Sequence, residues 1–452
     1  MKVAKFGGSS LADAAQIRRV CDIITSDPER RIIVVSAPGK RHKADTKVTD
    51  LLIACAKARL AGGSAEKELA AVVARYAGIA TDLGLPADVM DRIRADLKER
   101  LAGPTGDPEQ FLDTLKAAGE DNCAKLVAVY LASTGVEAHY VSPREAGLRM
   151  SHEFGNGRVL PESYGRLASL RDAPGITVFP GFFGYSPEGA VVTFPRGGSD
   201  ITGSILAAAV RADLYENFTD VDYVLAASPH IVPNPRPVTE LTYREMCELS
   251  YAGFSVFHED ALEPVFHAGV SVCIKNTNNP SAPGTRIVME RKCPAGVVSG
   301  IAAAEGFCSI YVSKYLMNRE VGFGRRLLQI LEEEGLSYEH TPSGIDNISV
   351  VLREEQIDAA REKAVLDRIR RQLEVDDVSI EHGLSLIMIV GESMWHAVGV
   401  AGRATSAFAG AGVSIEMINQ GSSEVSMMFG VKTADMTKAV RALYKEFFEK
   451  GA

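Results

Sequence analysis

The 452 residues carry Lys+Arg 49 against Asp+Glu 58, a formal net charge of −9, with 46% hydrophobic and 24% charged residues. These are ordinary globular values for a chain of two to four domains, and the mild acidity argues against a general nucleic-acid binder, which needs a basic face. Seven scattered cysteines (Cys21, Cys55, Cys123, Cys247, Cys273, Cys293 and Cys308) form no C-x-x-C pair; reduced thiols in a cytoplasmic protein are expected, without a zinc site, disulfide framework, secretory signal or membrane span.

The chain opens on a short strand, residues 3–6, that runs into Gly7-Gly8-Ser9-Ser10 and then a helical pattern. Two glycines at such a turn let backbone N–H groups approach an anion, and the following helix is expected to point its positive end there. Lys5 adds a mobile charge. The turn suits a polyphosphate, although its spacing is not that of a Walker A loop; the alternative is a plain turn. A buried strand at 31–36 leads into a basic loop with Lys40, Arg41, Lys43 and Lys47. Residues 49–131 read as mostly helical, broken at Gly62-Gly63, Gly84-Leu85-Pro86 and Gly103-Pro104. Glu120 is expected to begin a helix there, reading a substrate amino group or complementing a helix dipole.

Strands at 138–141, 176–180 and 190–194 precede a second glycine turn, Phe194-Pro195-Arg196-Gly197-Gly198-Ser199-Asp200, that opens a helix. Arg196 suits bidentate grip of a carboxylate. Ser199 and the loop N–H groups suit phosphate or substrate, and Asp200 suits alignment of Lys5 or a magnesium-bound phosphate. A helix cap with a surface arginine is the alternative. The strand at 214–218 ends in Thr219-Asp220-Val221-Asp222, at the edge where open α/β sheets place ligands, and the strand at 270–275 closes on Lys275. A turn cap and a solvated lysine are the respective alternatives. His258, among Phe254, Val256 and Phe257, reads as a core or interface histidine. No His/Cys/carboxylate cluster has metal-ligand spacing, so no protein-held metal is expected. The alternation of strand and helix predicts a mainly parallel sheet covered on both faces.

Past Pro294 the units shorten. Strand, helix, two strands and helix are expected at 308–312, 323–334, 338–341, 348–352 and 357–373. The order repeats at 385–390, 398–409, 414–418, 425–431 and 436–448, which predicts two ferredoxin-like modules in tandem. Such a tail more often regulates than catalyses.

Together these motifs resemble the amino-acid kinase fold and, within it, the aspartate kinases. The resemblance rests on Lys5-Phe6-Gly7-Gly8-Ser9-Ser10, Val48-Thr49-Asp50-Leu51-Leu52, Gly119-Glu120, Arg196-Gly197-Gly198-Ser199-Asp200, Thr219-Asp220-Val221-Asp222 and Lys275-Asn276-Thr277. In the tail it rests on Ile418-Asn419-Gln420-Gly421-Ser422-Ser423-Glu424, similar to that family's second ACT module. It implies a three-layer α/β kinase part (1–293) followed by ACT modules at 299–375 and 376–452. It also implies MgATP and L-aspartate as substrates, with the magnesium held mainly through the nucleotide, and 4-phospho-L-aspartate as product.

By the same resemblance Lys5 and Asp200 are catalytic. Lys5, Gly7, Gly8, Ser9, Thr219, Asp220 and Lys275 face the nucleotide. Thr49, Glu120, Phe182, Arg196, Gly197, Gly198 and Ser199 surround aspartate. Met317, Gly322, Phe323 and Asp346 match effector positions for an amino acid such as lysine or threonine. A homodimer or dimer of dimers is expected, with no nucleic acid or membrane partner. One stretch departs from the family: Asp222-Tyr223-Val224-Leu225-Ala226-Ala227-Ser228-Pro229-His230 stands where a pattern close to Asp-Gly-Val-Tyr-Thr-Ala-Asp-Pro-Arg is usual. It motivates a second reading, a ligand-binding regulator with a decayed kinase part; a third reading is a same-fold kinase whose acceptor is another amino acid.

Overall fold

The computed structural model describes residues 1–195, 197–254, 256–257, 259–291, 296–421 and 425–449. Arg196, His258, Cys293 and Ser422-Ser423-Glu424, all singled out above, lie outside the described residues. The chain divides into two compact units. The first holds Met1–Val224, Pro237–Ser250 and Ser255–Lys292; the second holds Leu225–Arg236, Tyr251–Phe254 and Cys293–Ala452.

The first unit is built on β1 (Lys2–Phe6), α1 (Ala14–Thr25), β2 (Arg30–Val35), α2 (Val48–Leu60), α3 (Glu66–Leu83), α4 (Ala87–Leu101), α5 (Pro108–Ser133), β3 (Ala138–Tyr140) and β4 (Ile176–Pro180). It continues with α6 (Gly198–Ala209), β5 (Leu214–Thr219), β6 (Glu240–Thr242), β7 (Val272–Asn276) and β8 (Thr285–Val288). The eight strands form one sheet in the order β6-β8-β7-β5-β1-β2-β4-β3. From β7 to β3 every pairing is parallel; β8 pairs antiparallel with β7, and β6 pairs parallel with β8, so these two strands run against the other six. The expected strand at 190–194 is Val191–Thr193, and it pairs with Phe183–Tyr185 in a separate hairpin.

Alternation along each strand sorts the side chains by face. Ala4, Phe6, Ile33, Val35, Val178 and Phe218 join the core formed with α1–α5, and Phe6 stacks on Phe218 at 4.7 Å. Lys5 and Asn217, out of phase with them, face the other side, where α6 lies. At the N-terminal end of the strands the buried Arg30 guanidinium is paired with Glu216 at 2.6 Å, a structural ion pair remote from the ligand-facing edge.

The second unit is a five-stranded antiparallel sheet of β9 (Gly300–Ser313), β10 (Asn347–Arg353), β11 (Asp377–Val390), β12 (Met417–Asn419) and β13 (Ser426–Lys432), ordered β10-β9-β11-β13-β12. Helices α7 (Phe323–Glu333), α8 (Ala359–Leu373), α9 (Val400–Gly410) and α10 (Met436–Tyr444) complete it. Two expectations change here. Residues 338–341 make only an isolated bridge, His340 to Val351, because Pro342 follows at once and cannot donate to a ladder. The tandem reading also gave each module its own first strand. Instead Gly300–Glu305 pairs with Ser385–Val390, while Phe307–Ser313 pairs with β10 and with the first half of β11. The first half of β9 was missed because Ala302-Ala303-Ala304-Glu305-Gly306 is poor in β-forming residues.

Candidate active site

The C-terminal ends of five adjacent parallel strands form one edge. In register, Lys275, Phe218, Phe6, Val35 and Pro180 lie side by side on β7, β5, β1, β2 and β4. Backbone hydrogen bonds carry the ladder one residue further: Thr277 N to Thr219 O (2.9 Å), Gly7 N to Phe218 O (3.2 Å), Ser36 N to Phe6 O (3.2 Å) and Gly181 N to Val35 O (2.9 Å). Four interstrand steps of about 4.8 Å give an edge roughly 19 Å long, enough for two small molecules end to end.

At its centre is an ion pair. Lys5 is buried on β1, and its Nζ meets Asp200 Oδ1 at 2.5 Å. Asp200 lies in the first turn of α6. The buried Asn217 donates from Nδ2 to the same carboxylate at 2.7 Å, and Tyr215 OH donates to the Asp200 carbonyl at 3.1 Å. Asn217 escaped sequence reasoning, though the adjacent polar residues Glu216 and Asn217 inside the strand Leu214–Thr219 were the available signal.

The first glycine turn is shaped by close backbone approach. An ideal Cβ on Gly8 would sit 3.0 Å from Ala37 O, and one on Gly39 would sit 2.5 Å from Gly8 C. Gly39 N donates to Gly8 O at 2.8 Å. Ser9 is exposed, and the buried Ser10 shares a 2.7 Å hydroxyl bond with Thr277, tying the turn to the loop after β7. One expectation is corrected: a 3₁₀ turn, Gly8–Leu11, follows the glycines, and α1 begins only at Ala14 with Asp13 as its cap. The turn's own N–H groups, rather than the N-terminus of α1, supply donors there.

Beyond β2 and β4 lies a second cluster. Glu120 does not begin a helix; it sits in the middle of α5, 5% exposed. Burial pushes its carboxyl up to about 8, against the opposing pull of the Ala37 backbone N–H, and Oε2 has no hydrogen-bond partner. A Cβ on the neighbouring Gly119 would touch Ala37 Cβ and lie 3.8 Å from Val48 Cγ1, so α5, α2 and the β2 exit meet beside Thr49 and Glu120. From the β4 exit comes Phe182, whose φ of +77° is rare for a bulky residue. Its N–H bonds Thr202 Oγ1 (3.0 Å) and its carbonyl accepts from Phe194 N (2.9 Å). A Cβ on Gly198 would overlap the Phe182 ring at 2.5 Å. One on Gly181 would overlap Ser199. Gly197, at φ +76°, caps α6. Phe182, Gly197, Gly198 and Ser199 are thus gathered together.

At the other end, Thr219 Oγ1 donates to Asp220 (3.2 Å), and Lys275 Nζ donates to Ala282 O (3.3 Å). Asp222 accepts from Asn276 (2.7 Å) and Asn279 (3.2 Å), fixing the loops after β5 and β7 against each other. The atypical stretch that follows serves packing: Val224, Ala226 and Ala227 are buried, while His230 is exposed.

In the second unit Met317 and Phe323 are core side chains. Gly322, at φ +79°, caps α7, and Asp346 accepts from Leu316 N at 2.8 Å. Of these four positions, Gly322 is exposed and Asp346 half-buried.

Residues 1–276 match the amino acid kinase family, and residues 387–447 match an ACT domain. The chain is 61% identical over 448 residues to Aspartokinase 3 of Bacillus subtilis, covering 99% of each. It is 31% identical to chloroplastic Aspartokinase 1 of Arabidopsis thaliana, covering 99% of this chain and 80% of that one. The crystal structure of Clostridium acetobutylicum aspartate kinase is similar with a TM-score of 0.87 at 37% identity, covering 99% of this chain and 100% of that one. A kinase unit whose charged centre joins two glycine turns, an ACT-bearing tail and full-length similarity to named aspartokinases lead to one assignment: the chain belongs to the aspartokinase family.

Proposed function

We propose that the five strand ends bind the two substrates in line, nucleotide over β7, β5 and β1 and aspartate over β2 and β4, with Lys5 and Asp200 at the junction. The reaction is that of an aspartokinase: ATP phosphorylates the side-chain carboxylate of L-aspartate, giving ADP and 4-phospho-L-aspartate, the first step toward lysine, threonine and methionine. A carboxylate is already ionised near pH 7, so no general base is required. One of its oxygens forms the new bond to the γ-phosphorus as the bond to the ADP oxygen breaks. Catalysis then rests on alignment and on neutralising charge spread over the transferring group.

The observation that carries this reading is the Lys5–Asp200 pair, a buried cation held by a carboxylate that the Asn217 amide fixes in turn, at the meeting point of both glycine turns. In this reading Lys5 turns its ammonium to the transferring phosphoryl, and Gly7, Gly8 and Ser9 offer backbone N–H groups to the phosphates. Thr219, Asp220 and Lys275 hold the rest of the nucleotide. The unpartnered Glu120 oxygen receives the aspartate ammonium. Thr49, Phe182, Gly197, Gly198 and Ser199 enclose the amino acid, and Arg196 is proposed for its carboxylate. Among the described residues no three His, Cys, Asp or Glu side chains gather around a cation position, and Asp200 is already engaged. The donor set therefore suits Mg²⁺ carried on nucleotide oxygens and water, where it supplies charge neutralisation.

The ACT-bearing unit provides feedback control. We propose lysine or threonine as effector near Gly322 and Asp346, a homodimer through this unit, and a cytoplasmic setting; no helix among the described residues is long and apolar enough to cross a membrane. The strand pairing supports nested modules, one of residues 307–381 and one of residues 300–305 with 384–447, in place of tandem ones. A coupled ADP-release assay tests the reaction. Turnover should require L-aspartate and fall at least a hundredfold in Lys5→Ala; the absence of aspartate-dependent ADP release would overturn the reading. Repeating the assay with lysine, threonine and both together identifies the effector.

A further inference from the structure

The basic side chains of the loop after β2 have no assigned role, yet the loop's backbone is bound to the first glycine turn. Its neck is closed by Val48 N donating to Pro38 O at 3.1 Å. Gly39 lies in backbone contact with Gly8 and Ser9: an ideal Cβ there would fall 2.5 Å from Gly8 C, 2.6 Å from Gly8 O and 2.8 Å from Ser9 N. On the other side of the neck, Ala37 turns its N–H toward Glu120. The neck thus lies between the phosphate turn and the carboxylate assigned to aspartate.

One of the loop's cationic groups, Arg41, is used internally, and Arg75 of α3 joins it on the same carboxylate. Asp45 accepts from the Arg41 backbone N–H (2.9 Å), Arg41 Nε (2.8 Å) and Arg41 Nη2 (2.9 Å). Arg75 Nη1 meets the same carboxylate at 2.5 Å, and the buried Arg75 also donates to the carbonyls of Ala12 and Gly39. This clamp fixes the position of Gly39. Lys40, the next residue, is exposed, and among the described residues it has no carboxylate or hydrogen-bond partner. Its Cα stands one peptide step, about 3.8 Å, from that of Gly39. A lysine side chain extends roughly 6 Å further on a flexible stem, a length that puts the space before Gly7–Ser9 within the ammonium's reach.

We propose that Lys40 is a further substrate-contacting residue, carried by the clamped loop to the polyphosphate of the nucleotide. The proposal rests on the reading that the Gly7–Ser9 turn receives those phosphates. A charge-assisted contact to phosphate of this kind implies a binding loss of about tenfold or more when removed.

The test compares Lys40→Ala, Lys40→Arg and Lys43→Ala in the full-length chain, by steady-state kinetics with each substrate varied and by calorimetric titration of MgADP. Lys43 lies within the same loop, in the turn closed by Asp45 N and His42 O. Lys40→Ala should raise KM for ATP about tenfold or more while KM for aspartate stays within twofold. Lys40→Arg should recover most of the loss, and Lys43→Ala should stay within twofold. Asp45→Asn, which loosens the clamp and leaves Lys40 in place, should also raise KM for ATP. An unchanged KM for ATP in Lys40→Ala, with MgADP still bound by the unaltered chain, overturns the role of Lys40 alone. An equal effect from Lys43→Ala shows a diffuse loop charge and also overturns it. Failure of the unaltered chain to bind MgADP overturns the phosphate reading and this proposal together.

Discussion

Asp200 is held from two sides, by Lys5 Nζ and by Asn217 Nδ2, and the amide decides where the carboxylate waits. Asn217→Leu removes the donor without adding charge. It should lower kcat about tenfold in the ADP-release assay with smaller changes in either KM, since it disturbs the charged centre and not the binding surfaces. Glu120 gives a prediction with a pH signature. Its carboxyl is raised to about 8 by burial. Between the ordinary value near 4.5 and that raised value, the folded chain keeps a proton that the unfolded chain releases. The contribution is fully present below pH 4.5 and is lost as pH rises through 8. Chemical denaturation of the ligand-free protein should show a loss from pH 5 to 8 that is smaller in Glu120→Gln, by on the order of a few kcal/mol. Binding an ammonium there favours the charged form. Aspartate binding near pH 7 should therefore release up to one proton, seen as a buffer-dependent enthalpy, and Glu120→Gln should abolish both the release and tight aspartate binding.

At the scale of elements, the strand ends and their turns position everything else. Asp113, fully buried on α5, accepts from Gly155 N (2.7 Å), Thr193 N (2.8 Å) and Thr193 Oγ1 (2.8 Å) and pairs with Lys116 (2.9 Å). It thereby anchors the Val191–Thr193 strand that leads to Gly197. Asp113→Ala strands these donors and should cost about 3–5 kcal/mol in urea denaturation, together with a raised KM for aspartate. Gly39→Ala drives a methyl into the Gly8 backbone and should raise KM for ATP while sparing aspartate. The apolar strands, the Gly/Pro breaks between α2 and α5 and both glycine turns were legible because they obey local rules of periodicity and backbone freedom. Glu120 was misplaced at a helix start because Gly119 imitates a break; in the fold it is a contact glycine, packed against Ala37 and Leu52. Gly39, Asn217 and the Ser10–Thr277 bond were hidden for another reason: each acts through a partner distant in sequence.

Across the whole molecule the chain passes between its two units five times, at residues 224/225, 236/237, 250/251, 254/255 and 292/293. Residues 225–236 are integral to the second unit. Ala226 O accepts from Ile301 N (2.7 Å), Arg236 N donates to Tyr444 OH (2.8 Å), and Arg441 Nε donates to Ile231 O (2.8 Å). A chain ended at residue 292 keeps this segment and loses its surroundings. It should express poorly or aggregate, whereas full-length protein carrying Tyr444→Phe should remain soluble with a small loss of stability, both measurable by sedimentation and thermal melting. The pairing of Gly300–Glu305 with Ser385–Val390 also bears on the order of birth. At about 5–20 residues per second on the ribosome, that first strand emerges on the order of ten seconds before its partner exists. During this interval it is an unpaired apolar edge, and the module it belongs to closes only after the intervening one has been made.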